Sequence, residues 1–377
     1  MYKRVFLAAL LAVTGALTAS AGTACEIPDD SLRHLAARML MVGFRGNQVT
    51  PDNPVVGYLK DTGVGAIILF DVDLTNGGGY GTRNITSASQ LKELTSDLQA
   101  LSGHPLLIAA DQEGGYVQRL KPAYGWERIP TARHSGLGGP DSVRAAAALA
   151  AKQLAEAGVS LNLAPEADLL IDSCPAISDL ERAYSADPDS VGLLCRIFVD
   201  EHRRAGVATT LKHFPGHGSA RSDSHHGFTD VTQGWSEKEL KPFAALIKSG
   251  DADAIMTAHI FNRNLDADFP ASLSHKITTE LLRDSLGFEG VVITDDLYME
   301  AVRDNYSVDE FIVDAINAGA DLLCVGNNIN TGFEADRPRK LVEIITGAVR
   351  DGRIPLSRLI ESNARIDRLI ARTRARE

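Results

Sequence analysis

The sequence contains little of several features that would mark a specialised class of protein. Only 4 of its 377 residues are cysteine, which excludes a small domain built around several disulfide bonds. The 49 acidic residues outnumber the 38 basic ones, and the formal net charge of -11 argues against nucleic acid or an anionic membrane surface as a partner. No proline- or serine-rich linker divides the chain. Because 44% of the residues are hydrophobic, the chain can bury a large core, as one big domain or two ordinary ones, and the absence of a linker favours one domain.

The first 24 residues have the composition of a secretory signal. Lys3 and Arg4 precede a run of small apolar residues at 5–17, and small residues follow it at 18–21. This layout is typical of an export signal and is short for a membrane span. We therefore expect residues 1–24 to be a signal peptide and residues 25–377 to be the mature domain, exported to the periplasm or cell envelope. Cys25 stands where a lipoprotein carries its lipid, although the leucine usual at the start of that motif is missing.

The other three cysteines have two expected fates. Cys174 and Cys195 flank one loop-and-helix region and are able to pair in an oxidising compartment. Cys324 lies in an apolar run and is expected to be a buried free thiol.

Eight short apolar runs recur along the chain and predict eight β-strands. Helical patterns separate most of them, and capping sequences at 236–239 and 307–310 predict helix starts. Two further helices are expected after residue 337, on the outer ring. This alternation predicts an α/β fold, a single-domain (β/α)8 barrel of the TIM type. The predicted strands are Met39–Phe44, Gly65–Phe70, Leu106–Ala110, Val159–Ala164, Val207–Leu211, Ala254–Ala258, Gly290–Thr294 and Ala320–Val325.

Polar residues follow five of the predicted strands, at the ends that would surround the mouth of the barrel. The densest group is the loop expected at 212–228, which holds four histidines among glycines. Because strand ends of a barrel converge on one face, we expect these groups to form one site. The other groups are Asp111–Gly115 with Arg119, Glu166 and Asp168 with Arg182, His259, and Asp295 with Asp296.

Three of these residues suggest a reaction. Asp223 and His225 are two residues apart, so their side chains face the same way in an extended segment. The aspartate would fix the imidazole tautomer, and the histidine would exchange protons near neutral pH. Asp295 ends a buried strand and would be an ionised nucleophile, whereas its neighbour Asp296 should point away from the site. This set suits glycoside hydrolysis.

Two other chemistries remain open on these residues alone. The histidines and aspartates could support metal-assisted hydrolysis, although neither His-x-His nor His-Glu-x-x-His occurs. A non-catalytic sugar-binding lipoprotein would also use aspartate and arginine.

Several polar residues near the strand ends are interpreted as supporting groups. His217 is expected to satisfy backbone groups of its loop, and Glu166 and Asp168 are expected to cap loops. Glu113 is expected to orient other side chains. His259 would either line the pocket or pack beneath it.

Motifs in this order resemble those of glycoside hydrolase family 3, and the pattern is most similar to its single-domain β-N-acetylglucosaminidases. The resemblance covers nearly the whole mature chain. Its motifs are Asp111-Gln112-Glu113-Gly114-Gly115 with Arg119, Lys212-His213-Phe214-Pro215-Gly216-His217-Gly218 with Asp223-Ser224-His225, and Thr294-Asp295-Asp296-Leu297-Tyr298-Met299.

The resemblance implies a role for each matching residue. Asp295 matches the nucleophile, and His225 matches the acid/base with Asp223 as its partner. The family often has arginine where this chain has Tyr116, and the segment 169–179 looks individual, which bears on the leaving-group side of the pocket. Five further residues match those that hold the terminal sugar, namely Asp111, Arg119, Arg182, Lys212 and His213.

These features together predict an exported retaining exo-β-N-acetylglucosaminidase acting on peptidoglycan fragments or chitooligosaccharides. We expect it to need no metal or organic cofactor, to bind no nucleic acid, to reach a membrane only through a lipid on Cys25, and to act as a monomer. The alternatives are a β-glucosidase or a β-N-acetylglucosaminide phosphorylase on the same framework, and a sugar-binding lipoprotein that has lost turnover.

Overall fold

Eight parallel strands form the centre of the protein in the computed structural model, which describes residues 27–223, 227–329 and 332–374. The expected signal peptide, Cys25 and His225 lie outside these residues. The strands are β1 (Leu40–Gly43), β2 (Ala66–Ile68), β3 (Leu107–Ala110), β4 (Leu161–Asn162), β5 (Ala208–Phe214), β6 (Ala254–Thr257), β7 (Val291–Thr294) and β8 (Leu323–Val325).

The strands pair in the order β7-β6-β5-β4-β3-β2-β1-β8, with every pair parallel. The two end strands then meet at a single bridge between Ile293 and Leu322. The sheet therefore closes on itself, with its loosest seam between β7 and β8. The predicted (β/α)8 barrel is confirmed, and each predicted strand corresponds to an observed one.

Helices follow the strands around the outside of this sheet. The first helix is Asp29–Arg38 and precedes β1. No helix in the described ranges is long and apolar enough to cross a membrane. The other long helices are Ala88–Leu101, Pro140–Glu156, Pro188–Arg204, Lys241–Ser249, the π-helix Lys276–Ser285, Val308–Ala318, Arg337–Arg350 and Leu356–Arg374, and the shorter helical segments are Val55–Gly57, Tyr58–Thr62, Leu74–Asn76, Pro122–Tyr124, Ala132–Leu137, Glu237–Leu240, Ala271–Leu273 and Glu300–Arg303.

The two predicted capping boxes have different outcomes. Ser307 and Glu310 form theirs at the start of Val308–Ala318. The box at Ser236 is wrong, because the chain there begins with a 3-10 turn and the Ser236 side chain makes no capping hydrogen bond. The Glu239 carboxylate instead accepts the backbone N–H of Ser219 at 3.3 Å, so it is engaged by the loop after β5.

Two apolar layers hold the barrel together. One fills its interior with residues such as Met41, Ile68, Met256 and Ile293, and a larger one lies between the strands and the helices. The last helix was expected on the outer ring. It contributes to both layers, because Leu359 lies in the layer between strands and helices while three later side chains join the interior layer: Ile366, Leu369 and Ile370.

The fifth strand is longer than predicted and brings charged residues into the sheet. It was expected to end at Leu211 but continues to Phe214, with every residue buried. The expectation that Lys212 and His213 lie on an irregular loop is therefore wrong. Their charges are compatible with a buried strand because acidic side chains pair with both of them, as described below.

The three cysteines in the described ranges are free, so Cys174 and Cys195, which the sequence would allow to pair, form no disulfide in this structure. Each thiol lies against a different backbone carbonyl. Cys174 donates to the carbonyl of His217 at 3.5 Å, and Cys195 donates to that of Glu166 at 3.3 Å. Cys324 is buried and free, as predicted.

Candidate active site

Asp111, directly after β3, binds two cations that reach it from different segments. Its Oδ1 accepts a hydrogen bond from Lys212 Nζ at 3.0 Å, and its Oδ2 accepts one from Arg119 Nη2 at 2.8 Å. The Arg119 guanidinium also lies 5.5 Å from the centre of the Phe70 ring. Burial disfavours the Asp111 carboxylate, but Lys212 and Arg119 outweigh it and hold the pKa of Asp111 well below its ordinary value.

A tight hairpin positions Arg119. Strands Gln112–Gly114 and Val117–Gln118 pair antiparallel, and Gln112 Oε1 accepts the backbone N–H of Arg119 at 3.0 Å. Gly114 has φ +108°, and a Cβ there would lie 2.3 Å from the carbonyl oxygen of Pro130. This close approach explains why the motif needs glycine at that point.

Glu113 joins the Arg182 side of the site to the Lys212 side. Its two carboxylate oxygens accept hydrogen bonds from Arg182 Nε and Nη2 at 2.9 and 2.8 Å, and Oε1 lies 2.7 Å from Lys212 Nζ. Arg182 Nη1 donates to the carbonyl of Ala176 at 2.8 Å. The bidentate contact of Arg182 with Glu113 fixes the plane of the guanidinium group.

His213 is enclosed by the carboxylates that follow β4. Its Nδ1 lies 2.8 Å from Glu166 Oε1 and 2.9 Å from Asp168 Oδ2, and Glu166 Oε2 lies 3.0 Å from Arg182 Nη2. Asp168 also accepts the backbone N–H groups of His213 and His217. Asp168 therefore does cap its loop, as expected, but both carboxylates also pair with site cations.

These contacts make one chain of alternating charge around the mouth of the barrel, which we call the ion network. Its members are buried or nearly so, and each carboxylate lies between two cations or at an end. A network of this kind fixes side-chain positions before a substrate arrives. In order along the network the residues are Arg119, Asp111, Lys212, Glu113, Arg182, Glu166, His213 and Asp168.

Asp295 follows β7 at the same end of the barrel. Its backbone N–H donates to the carbonyl of Thr257 at 3.1 Å, and its Oδ1 accepts the N–H of Asp296 at 2.8 Å. Asp296 has other partners, because its oxygens accept the N–H groups of Tyr298 and of Gly326, after β8. Burial, and then the negative charge of Asp295, raise the pKa of Asp296 to about 6.

His259 supports this strand end from below. Its Nε2 lies 2.9 Å from the Asp296 carbonyl, and its Nδ1 lies 2.7 Å from Ser272 Oγ. A carbonyl only accepts hydrogen bonds, so Nε2 carries the proton. Both ring nitrogens of His259 are engaged by groups of the protein and the residue is 2% exposed, which favours the expectation that it packs beneath the site.

The strand ends bring the charged groups to one face of the barrel. Asp111 directly follows β3 and Asp295 directly follows β7, and both strands belong to one sheet of parallel strands. In keeping with this, burial and then the negative charges of Asp296, Asp295 and Asp111 hold the pKa of the Cys324 thiol well above its ordinary value.

The start of the loop after β5 packs against Trp235 and Glu239, which come from later in the chain. Trp235 Nε1 donates to the carbonyl of Pro215 at 3.1 Å, and a Cβ on Gly216, at φ +120°, would lie 2.5 Å from Glu239 Cβ. Asp223 is half-buried. Because His225 lies outside the described residues, the Asp223–His225 pair stays a prediction.

One group in the described part of the chain has donor atoms close enough for a metal ion: Glu166, Asp168 and His213, whose ligand atoms lie within 4.8 Å of one another. The same atoms fit a protonated imidazole better. Asp168 already accepts a hydrogen bond from His213 Nδ1, and the Arg182 guanidinium lies against Glu166. We therefore assign the group to ion pairing.

The structure places one further aspartate, Asp71, next to the site, and the sequence motifs did not identify it. Asp71, three residues beyond β2, is fully buried, pairs with Lys121 and accepts a hydrogen bond from Tyr124 Oη at 3.0 Å. Burial lowers the pKa of Arg119, but the charges of Asp111 and then of Asp71 outweigh burial and raise that pKa above its ordinary value. The position of Asp71 after a predicted strand was the available signal.

Comparison with known proteins gives a consistent result. The profile of the N terminal domain of glycosyl hydrolase family 3 matches residues 31–369. A beta-hexosaminidase of Tolumonas auensis is 37% identical over 298 residues, which cover 77% of this chain and 83% of that protein. A beta-hexosaminidase of Xylella fastidiosa (strain M23) is 35% identical over 314 residues, which cover 80% of this chain and 88% of that protein.

Solved structures agree. A glycoside hydrolase family 3 beta-N-acetylglucosaminidase from Paenibacillus sp. str. FPU-7 superposes with a TM-score of 0.81 at 32% identity, over 91% of this chain but only 62% of that longer one. Beta-N-acetylhexosaminidase from Beutenbergia cavernae gives a TM-score of 0.76 at 27% identity, over 91% and 97% of the two chains. From the profile match, these relatives and the barrel, the chain belongs to glycosyl hydrolase family 3 and is a glycoside hydrolase.

Proposed function

We propose that the chain is a retaining exo-β-N-acetylglucosaminidase, which removes terminal β-linked GlcNAc from peptidoglycan fragments or chitooligosaccharides. The observation that supports this most is that Asp295, directly after β7, and the ion network, after β3 and at the end of β5, lie at the same face of a parallel barrel. The beta-hexosaminidase names of the two curated relatives support the choice of sugar.

The reaction has two steps. In the first, an Asp295 oxygen forms a bond to the anomeric carbon, the glycosidic C–O bond breaks, and His225, oriented by Asp223, protonates the leaving oxygen. In the second, His225 takes a proton from water, the water oxygen attacks the same carbon, and the ester to Asp295 breaks. Two displacements at one carbon retain its configuration.

The ion network serves binding in this proposal. Arg119, Lys212, Arg182 and His213 are cations held by buried carboxylates, so they present N–H donors in fixed positions. Sugar hydroxyls can accept such charge-assisted hydrogen bonds from the cations, and they can donate hydrogen bonds to the carboxylate of Asp111. Little ordering remains to be done when the sugar binds.

The proposed specificity is tested with chromogenic β-GlcNAc and β-glucoside substrates side by side, with and without chelator and with added phosphate. We expect chelator-insensitive release from the GlcNAc compound, with GlcNAc as the product and the β-anomer appearing first by proton NMR. Preference for the glucoside would contradict the sugar assignment. Sugar 1-phosphate as product would indicate a phosphorylase, and binding without turnover would indicate the binding-protein alternative.

Asp295→Asn tests the nucleophile. We expect kcat to fall by about 1000-fold or more, equivalent to about 4 kcal/mol of barrier, because the amide cannot form the glycosyl ester. The comparison variant is Asp296→Asn, whose single amide oxygen can accept only one of the N–H groups of Tyr298 and Gly326, because these bond to different oxygens of Asp296. We therefore expect it to lower the melting temperature while keeping the nucleophile Asp295. A variant of Asp295 that kept most of the wild-type rate, with an unchanged melting temperature, would contradict the assignment.

Location and assembly complete the proposal. The basic and apolar pattern of residues 1–24 supports export, and Cys25 is a candidate for lipidation. Fractionation of cells carrying the full chain or a Cys25→Ala variant tests both, since loss of membrane association in the variant alone identifies a lipid anchor. Light scattering of the mature chain tests whether it is a monomer.

A further inference from the structure

Two carboxylates lie against one nitrogen of a buried histidine. His213 Nδ1 is 2.8 Å from Glu166 Oε1 and 2.9 Å from Asp168 Oδ2. The exposed fractions of the three residues are 7% for His213, 2% for Glu166 and 0% for Asp168. Two buried carboxylates this close together are costly unless positive charge lies beside them. The imidazole is the group that lies between them.

The surrounding charges leave this role to His213. The Arg182 guanidinium reaches Glu166 Oε2 at 3.0 Å, but it is also held by both oxygens of Glu113. Lys212, the preceding residue, pairs with Asp111 and Glu113. His217 lies with its ring centre 5.6 Å from that of His213. With His213 charged, the ion network has four cations and four anions, and with His213 neutral it has an excess negative charge.

Glu166 and Asp168 do different work in this arrangement. Asp168 accepts the Nδ1 proton and two backbone N–H groups, so it holds the loop as well as the ring. The Glu166 carboxylate pairs with His213 and Arg182 and also lies in hydrogen-bonding contact with the Asp168 carboxylate, but it accepts none of the backbone N–H groups that Asp168 holds. Arg182 has three other hydrogen bonds, to Glu113 and Ala176, and would stay in place without Glu166.

We propose that Glu166 is a positioning residue that, together with Asp168, keeps His213 as a permanent imidazolium, so that His213 binds the sugar as a charged donor and takes no part in proton transfer. This inference rests on the proposed function for its sugar, although the charge state itself does not. It assigns different roles to His213 and His225, which belong to the same motif. His213 holds substrate, and the acid/base role falls elsewhere.

The electrostatic balance agrees with the geometry. Burial of the ring opposes its charge, but Glu166 and the hydrogen bond to Asp168 outweigh burial and raise the pKa of His213 to about 10. Burial, and then the charge of His213, lower the pKa of His217 to about 4, so His217 is neutral. Removing the charge of Glu166 leaves burial opposed by Asp168 alone and should bring His213 into the neutral titration range.

The first measurement needs no variant. In protein labelled with ¹⁵N-histidine, long-range ¹H–¹⁵N spectra report the protonation of each ring, and His213→Asn identifies the signal. We expect the wild-type His213 ring to stay doubly protonated from pH 5 to pH 9. A wild-type ring that titrates near its ordinary pKa would overturn the proposal, whether or not the enzyme cleaves GlcNAc. An inactive enzyme with a charged His213 would instead contradict only the proposed function.

Glu166→Gln then tests the mechanism through KM. At pH 8 we expect KM for the GlcNAc substrate to rise about 10-fold to 100-fold, the cost of one charged hydrogen bond, with a smaller change in kcat. At pH 5.5 the ring regains its proton, so most of the loss should disappear. Glu166→Asp should restore part of the wild-type KM at pH 8. A KM change that is the same at both pH values would assign Glu166 a merely structural role.

Two controls complete the design. Asp253→Asn removes another buried carboxylate, one that pairs with Arg203 and Arg372 at the opposite end of the barrel. It should lower the melting temperature without a pH-dependent change in KM. In a His213→Asn background, Glu166→Gln should change KM less than about threefold, because residues that act through one another are not additive. Full additivity would overturn the assignment.

Discussion

Replacing Glu113 with glutamine would test whether the ion network supports both stability and binding. Glu113 is 7% exposed and joins Arg182, at 2.8 and 2.9 Å, to Lys212, at 2.7 Å. Removing one partner of a buried ion pair costs about 3–5 kcal/mol. Lys212 keeps Asp111 and Arg182 keeps Glu166, so we expect the lower end of this range.

A loss of about 3 kcal/mol has a measurable thermal signature. With an unfolding entropy of roughly 2.1 cal/mol/K per residue, it lowers Tm by about 4 °C in a barrel of this size. We also expect kcat/KM for the GlcNAc substrate to fall by about 100-fold, because two cations that hold the sugar lose their shared partner. Calorimetry and initial rates on the same preparation measure both effects.

Glu334→Gln is the matched control. Glu334 pairs with Arg337 and Lys340 near the surface, and its side chain is 36% exposed. Exposed ion pairs contribute about 0–1 kcal/mol, so Tm should change by less than about 1.5 °C and the rate should not change. If Glu113→Gln behaved like this control in both assays, the network would be a consequence of the fold rather than a support for it.

Three further predictions concern the loop after β5 and the thiols. Burial is the main cause that raises the pKa of Glu239 from 4.5 to about 7, so the folded protein loses stability as pH rises from 4.5 towards 7. Glu239→Gln should therefore show a smaller fall of Tm over that pH range than the wild type. Equal falls in the two proteins would contradict the raised pKa. Gly216→Ala should lower Tm and activity more than Gly332→Ala, because only Gly216 adds a clash to a similar φ, and equal losses would leave backbone strain as the whole cause. After denaturation and alkylation without reductant, mass spectrometry should find one alkyl label on each of Cys174, Cys195 and Cys324. Two unlabelled cysteines would instead reveal a disulfide between them.

The barrel could be predicted from the sequence because its strands are short apolar runs separated by helical patterns. That signal depends on side-chain type alone, and it located all eight strands to within a few residues. It failed at β5, where charged residues lie inside a strand. Lys212 and His213 are buried only because carboxylates from β3 and β4 reach them, and such long-range pairing leaves no local pattern.

The candidate site divides in the same way. Strand-end position was enough to predict that Asp111 and Asp295 lie at one face of the protein, because parallel strands of a barrel end on one face. It did not reveal what Glu113 and Glu166 do, since a carboxylate after a strand caps a loop as readily as it pairs with a distant cation. The failed capping box at Ser236 has the same origin, because Glu239 had a tertiary partner that the local motif does not contain.

The histidines of the site differ in what their surroundings allow them to do. Two carboxylates keep His213 charged, while burial beside that charge keeps His217 neutral. A group that gives and takes a proton in one turnover needs a pKa near the working pH, which neither of these has. His259 has both ring nitrogens engaged beneath the strand end. The proton-transfer role in the proposed mechanism therefore falls to the histidines at 225 and 226, and the spacing to Asp223 favours His225.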